Sequence, residues 1–378
     1  MFDLLRRRPR RASGLLVLLS LALLAAACTG GAATPNPLPS AVPTPSAPAS
    51  STPATPLPSP SPTYPLTLTD DEGTSVVIPA EPARIVSLTP ATTEILFAIG
   101  AGQRVVATTD FDDYPPEAVP LPDVASYTGV DVEKIVGLEA DLVIAGGNNF
   151  NPPEAIARLR SLGIPVLVVY APDTETILRD IELVGRAVGR SEAATALAEA
   201  IRRDFEAVRS ATAGLPRPRV FYELDATNEI YGPADDSFLA EMIELAGGEP
   251  ITTGSPTVFS ISLEKLVAAD PEVIVLGDAA YGVTPEVVRS RPGWGSMTAV
   301  RTGAIRPVND LLVTRPGPRI ALGLRELALA IHPGLALPPP VSATPAPSNA
   351  PSSGPSPEAS VSPAPSASAE RRLLTAAR

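Results

Sequence analysis

The sequence predicts an α/β fold of two lobes with parallel sheets, joined by one long backbone helix. Three observations carry this expectation. Short Val/Ile/Leu-rich runs alternate with helical patterns, a long central stretch has helical spacing with no strand signal, and a segment of the first half repeats without gaps in the second.

The strand runs are Arg84 to Leu88, Leu142 to Ala145, Pro165 to Val169, Arg219 to Phe221 and Val273 to Leu276. Their near-continuous apolar character suits strands buried on both faces of a parallel sheet. Helical patterns lie at Ala155 to Leu162, Ser237 to Ala246 and Pro318 to Ile331. From Thr174 to Ala211 the chain carries Ala, Leu, Arg and Glu at helical spacing, broken only by Gly189-Arg190-Ser191, which reads as a C-cap followed by an N-cap at Ser191. A helix of about 20 residues from Ser191 spans about 30 Å, enough to bridge two lobes.

The internal repeat aligns Val132 to Ile144 with Leu263 to Val275. Each copy is a short helix beginning near a glutamate, Glu133 or Glu264, and running into a buried strand. The Glu-Lys pairs of the two copies contain Lys134 and Lys265, the only lysines in the chain.

The ends are different material. Arg6, Arg7, Arg8, Arg10 and Arg11 precede an apolar run from Gly14 to Ala27, too short to span a bilayer and ending in small residues, as an export signal does. Ala25-Ala26-Ala27-Cys28 resembles a bacterial lipobox, with Ala25 where a larger aliphatic residue is usual. Cys28 is the only cysteine, which excludes internal disulfides and suits acylation and membrane anchoring. Residues 28–65 and 338–378 are rich in Pro, Ser and Ala and cannot bury a core. The first reads as a disordered tether able to hold the folded part up to about 100 Å from the membrane. The expected division is a signal peptide at 1–27, tether at 28–65, first lobe at 66–173, linking helices at 174–213, second lobe at 214–337 and a disordered tail at 338–378. The formal net charge of −12, with a basic leader included in it, argues against a nucleic-acid partner.

Between the proline-rich ends runs a series of motifs: Thr69-Asp70-Asp71-Glu72-Gly73, Pro82 to Pro90, Thr93 to Gly100, Asp113-Tyr114-Pro115-Pro116, Asp141 to Ile144, and Arg315-Pro316-Gly317-Pro318-Arg319. In this order and spacing the chain resembles the substrate-binding proteins for iron-siderophores and cobalamin that serve ABC importers. The resemblance implies Rossmann-like lobes with the ligand cleft between them and a binding domain at about 83–337. It also implies a monomer on the outer face of the cytoplasmic membrane or in the periplasm, delivering to a homodimeric permease with its ATPase.

The resemblance also implies roles for residues. Glu133 and Glu264 fall where the family's lobes engage arginines of the permease; read alone, each is equally a capping or solvated glutamate in a first helical turn. First-lobe ligand contacts fall on Thr89, Phe111, Tyr114, Tyr127 and the loop of Gly146 and Asn148. There Gly146-Gly147-Asn148-Asn149 stands where the cobalamin-binding relative has an aromatic, giving a more open and polar wall. From the second lobe Tyr222, Tyr231, Phe259 and Tyr281 follow strands or sit in loops, where aromatic planes suit a corrin, haem or catecholate face; each is equally placed for core packing. Arg315 either pairs a ligand carboxylate or phosphate or pins the final helix, expected to begin near Pro318.

Other functions are weighed against this. Asp112-Asp113 and Asp235-Asp236 do not form a catalytic pair by spacing, and no nucleophile elbow, phosphate loop or dinucleotide fingerprint appears, so no enzyme is predicted. Direct zinc or manganese binding needs several ligands, and the sole histidine, His332, reads as a helix C-cap. The cargo is then an already chelated metal, cobalamin or a ferric siderophore, with haem a further candidate, and no permanently bound cofactor is expected. A surface sensor or scavenger without a permease is the alternative.

Overall fold

The structure is a computed structural model that describes residues 63–147 and 150–341. The leader, Cys28, most of both proline-rich segments and Asn148 therefore lie outside the described residues.

Lobe one begins with an antiparallel hairpin, β1 (Leu66–Thr69) and β2 (Ser75–Ile78). It continues through β3 (Ile85–Ser87), α1 (Pro90–Ala98), β4 (Val105–Thr109), β5 (Asp123–Ser126), β6 (Gly129–Val130), α2 (Val132–Gly137), β7 (Leu142–Ala145), α3 (Pro153–Ser161) and β8 (Val166–Val168). Its sheet runs β6-β5-β4-β3-β7-β8, parallel except for the edge strand β6. Then come α4 (Thr174–Ala187) and α5 (Ser191–Thr212).

Lobe two contains β9 (Arg219–Glu223), β10 (Ile230–Tyr231), α6 (Phe238–Leu245), β11 (Glu249–Pro250), β12 (Ser260–Ile261), α7 (Leu263–Ala269) and β13 (Val273–Leu276). It ends with α8 (Pro285–Ser290), α9 (Thr298–Thr302), β14 (Ile305–Pro307), α10 (Asp310–Val313) and α11 (Ile320–Ile331). The sheet β11-β9-β13-β14 is parallel, and β10 and β12 form a small antiparallel ribbon.

The strands alternate between two cores, as a period of two requires. Leu142 and Ile144 of β7 and Val273 and Val275 of β13 face one continuous core, which also takes Ile181 and Val184 of α4, Ile201 and Phe205 of α5, and Leu324 and Leu327 of α11. Val143 and Ala145 face a second core within lobe one, and Ile274 and Leu276 a third within lobe two. Because the first core passes through the linking helices, α5 is packed into both lobes.

α5 is 22 residues long, about 33 Å at 1.5 Å per residue. It begins at Ser191, as expected, but its N-cap is not the serine. Arg190 is the N-cap, with no side-chain cap bond, and Ser191 is the first helical residue. Gly189 takes a left-handed φ of 68°, and the Arg190 amide returns to the Gly185 carbonyl at 2.7 Å, so the reversal ends one residue early. α4 and α5 are close at Gly185, where a Cβ would meet that of Ala194 at 2.2 Å. α11 begins at Ile320, two residues after Pro318. At the end of the described residues the Pro338 carbonyl accepts from Arg325, and the Val341 amide donates to Asp204.

The repeat extends to detail that the alignment did not contain. Asp131 and Ser262 cap α2 and α7, accepting from the amides of Lys134 and Lys265. The lysine ammonium groups then donate to the carbonyls of Asp123 and Thr253. Glu139 and Asp270 both adopt left-handed φ, at 53° and 45°. Arg84 and Arg219 donate through Nε to the carbonyls of Leu138 and Ala269, while their amides bond the carboxylates of Asp141 and Glu272.

Candidate functional site

In open parallel sheets, ligands bind in the crevice beyond the carboxyl ends of the strands. In lobe one the loops after β3, β4, β5, β7 and β8 end there. In lobe two the loops after β9, β11, β13 and β14 do so. All but two of the described residues expected to touch the ligand lie on these loops; Tyr222 lies in β9 and Tyr231 in β10.

The loop after β7 is fixed from below. Buried Asn151 accepts from the Gly146 amide at 2.8 Å and donates to the Leu88 carbonyl at 3.2 Å, while the amides of Phe150 and Asn151 both reach the Gly147 carbonyl. Gly146 is required by closeness, since a Cβ there would lie 2.5 Å from Cγ2 of Thr89; Gly147 is required by a φ of 74°. Thr89 itself is buried and accepts from the Thr92 amide as the N-cap of α1. Its role in this structure is to start a helix and support Gly146.

This pinned turn holds Phe150, 53% exposed, 6.4 Å between ring centroids from Tyr170, 41% exposed, on the loop after β8. The Tyr170 amide is held by Asp71 at 2.7 Å, in the β1–β2 turn. The sequence reading missed both aromatics. The wall expected to be polar beyond Gly146 has an aromatic supplied four residues later, and the available signal was Phe150 closing a glycine- and asparagine-rich loop. Tyr127, in the two-residue β5–β6 turn, is 50% exposed, and in lobe two Phe259, just before β12, is 42% exposed. Phe111, Tyr114, Tyr231 and Tyr281 are half-buried on the same edges.

Tyr222 is corrected. It has no exposed surface; its hydroxyl donates to Asp310 at 2.9 Å, and a Cβ at Gly277 would strike its ring at 2.5 Å. Burial, then the nearby Asp310 charge, raises its pKa well above the ordinary phenol value. It sits inside β9, facing the core, because strand alternation puts its neighbour Phe221 on the opposite face.

The two lobes' edges meet at an ionic cluster. Glu94 of α1, with its side chain 1% exposed, takes a bidentate pair from Arg319 at 2.8 and 2.6 Å. Arg315 reaches Asp113 at 2.5 Å and Glu94 at 3.4 Å, and Arg319 lies over the Tyr114 ring at 4.0 Å. Arg315 is thus engaged with lobe one, through α1 and the loop after β4. Burial pulls its pKa down, but the Asp113 and Glu94 carboxylates outweigh that and raise it. A second strap joins Thr174 of α4, through its amide and hydroxyl, to the Glu241 carboxylate of α6 at 2.8 and 2.7 Å.

A buried polar cluster closes the carboxyl ends of β9 and β13. Glu223 is fully buried and paired bidentately with Arg291 at 2.6 and 2.7 Å, and Arg291 stacks 4.6 Å from the Trp294 ring centroid. Beside it Asp278 is 2% exposed; burial, then the charge of Glu223, pushes its pKa up to about 8. In lobe one, burial likewise raises Asp112, whose Oδ2 accepts from the amide and hydroxyl of Thr109. Among the described residues no group of three or more His, Cys, Asp or Glu is arranged to hold a metal ion, and no helix is long and apolar enough to cross a membrane. His332 is the C-cap of α11, 3.3 Å from the Gly247 carbonyl.

Glu133 and Glu264 are both exposed in the first turns of α2 and α7, at equivalent points of the repeat.

The sequence matches the family described as periplasmic binding protein over residues 85–309. It is 32% identical over 275 residues to an uncharacterized ABC transporter substrate-binding lipoprotein, YvrC, of Bacillus subtilis, covering 71% of this chain and 86% of that one. Two solved structures are similar at a TM-score of 0.59 and 28% identity, each covering 66% of this chain and 97% of the other. One is the periplasmic vitamin B12 binding protein BtuF of Vibrio cholerae, and the other is the periplasmic heme-binding protein RhuT from Roseiflexus sp. RS-1 in apo form.

Proposed function

The chain belongs to the periplasmic binding protein family, and from that premise we propose that it is the substrate-binding lipoprotein of an ABC importer, capturing a metal chelate and passing it to the permease. The family binds substrates and does not transform them. One observation carries the choice of cargo class: the strongly exposed aromatics among the described residues, Tyr127, Phe150, Tyr170 and Phe259, all lie on loops at or beside the sheets' carboxyl edges. Rigidly mounted aromatic faces supply apolar contact to a large planar or macrocyclic ligand at little entropic cost. The B12- and heme-binding names of the similar structures support the same class. Phe111, Tyr114, Tyr231 and Tyr281 would contribute at the margins, and export with acylation at Cys28 would tether the protein to the membrane.

Handing over the cargo falls to Glu133 and Glu264. Two exposed carboxylates on equivalent helices of a rigid frame suit a two-fold symmetric partner carrying arginines.

Calorimetric titration with cyanocobalamin, haemin and ferric siderophores is expected to give saturable binding by at least one of them, at micromolar Kd or tighter. Tight binding of free amino acids or sugars instead would sink the proposal. The Glu133→Ala/Glu264→Ala double variant is expected to bind that chelate unchanged yet fail to support its uptake into cells; undiminished uptake would remove the docking role.

A further inference from the structure

The loops beyond the parallel strands carry an excess of negative charge. In the sequence of 88–89, 110–122, 127–131, 146–152, 169–173, 224–237, 251–259, 277–284 and 308–319 the only cationic residues are Arg315 and Arg319. The same loops hold Asp110, Asp113, Asp131, Asp225, Asp235 and Asp236 among their carboxylates. Both arginines are committed, Arg319 to Glu94 and Arg315 to Asp113 and Glu94. Cations reaching in from neighbouring helices are engaged too: Arg291 holds Glu223, the Lys134 and Lys265 ammonium groups sit on the Asp123 and Thr253 carbonyls, and Arg179 donates to the Thr176 hydroxyl. A concavity of about 480 Å³ along β5 and β6, next to Tyr127, is lined by Asp110, Asp123 and Asp131. The neutral forms that burial favours at Asp112 and Asp278 do not change the sign of this field.

We infer that the site selects by charge: its cargo is a chelate with no net negative charge, held by amide contacts and aromatic faces. An incoming carboxylate would lose water and find no uncommitted guanidinium to replace it. It would also feel the field of several aspartates. A cationic or neutral macrocycle meets neither cost, and aromatic faces attract cations. This inference rests on the metal-chelate reading above and names the ligand class within it.

The test uses pairs of chelates that differ in charge: dicyanocobinamide against dicyanocobyrinic acid, the diamide of haemin against haemin, and a cationic ferric hydroxamate against a ferric tris-catecholate. Each is titrated into the full exported chain at low and at high salt. The member without negative charge is expected to bind at least about tenfold more tightly, with the gap narrowing as salt screens the field. Asp113→Asn, which leaves Glu94, already paired with Arg319, as the one carboxylate on Arg315, is expected to improve binding of the carboxylate-bearing member about threefold or more; Asp110→Asn, which removes a carboxylate without loosening a guanidinium, is expected to narrow the gap less. Equal or tighter binding of any anionic member than its partner overturns the charge rule and leaves the metal-chelate reading standing. No saturable binding by any of the six removes both.

Discussion

At the residue scale, the chain places several ionisable groups where only partners distant in sequence can satisfy them. Glu94 is nearly inaccessible and is tolerated because Arg315 and Arg319, more than 200 residues away in sequence, converge on it. A rigid Arg-Pro-Gly-Pro-Arg loop was legible as something that aims a guanidinium; what it aims at was not, because an isolated Glu in a helical run gives no sign of its burial. Asp180 of α4 is also buried, but its Oδ1 has no hydrogen-bond partner among the described residues. It is 4% exposed, and burial, then the charge of Asp71, pushes its pKa up to about 9, while Asp278 is pushed to about 8. Both folded values lie above the ordinary carboxyl value of 3.8. The folded state therefore keeps protons that the unfolded chain has released, and this contribution to stability, complete below about pH 4, is lost as pH rises through 8 to 9. Each group adds a slope of up to about 1.4 kcal/mol per pH unit in that window. Thermal unfolding followed from pH 5 to 9 is expected to show Tm falling, with Asp180→Asn flattening the curve and raising Tm at pH 8. An unchanged slope in the Asp180→Asn variant would mean that Asp180 is already ionised.

Elements were legible where one residue type dominates a run. β7 and β13 begin and end where the apolar runs do, and α5 has the expected length, since helical spacing over 22 residues is hard to mistake. β1, β2, β4, β5 and β14 were not anticipated. Their runs are short and interleaved with Thr, Ser, Asp or Pro, and their pairing depends on a neighbouring strand rather than on their own pattern. The repeat was read from 13 aligned positions, yet the structure carries it into caps, left-handed residues and the arginines that open β3 and β9. The loop after β7 shows how an element can be seen and its use missed: its glycines announced a tight turn, but the outward aim of Phe150 follows from Asn151, whose side chain bonds Gly146 and Leu88. Asn151→Ala is expected to lower stability by about 1–3 kcal/mol through two orphaned backbone groups and to weaken chelate binding by loosening the Phe150 mount. Full affinity in a destabilised Asn151→Ala protein would separate the loop from the site.

For the whole molecule, a core continuous through α4, α5 and α11, together with the Glu94 cluster and the Thr174–Glu241 strap, ties the lobes to one another. Such a frame favours a largely pre-formed cleft over wide hinge closure. The two-lobed plan and its long helix were legible in the sequence; the ties between lobes were not, because each joins residues separated by at least 67 positions. The central claim is that a metal chelate is held between the carboxyl-edge loops of both lobes. Hydrogen exchange with and without the chelate that binds tightest tests it most directly. The account predicts slowed exchange at 110–114, 127–130, 150–151 and 170–171 in lobe one, together with 258–260 and 279–283 in lobe two, and little change at the exposed ends of α2 and α7. Protection confined to one lobe, or found mainly on faces away from these loops, would contradict it.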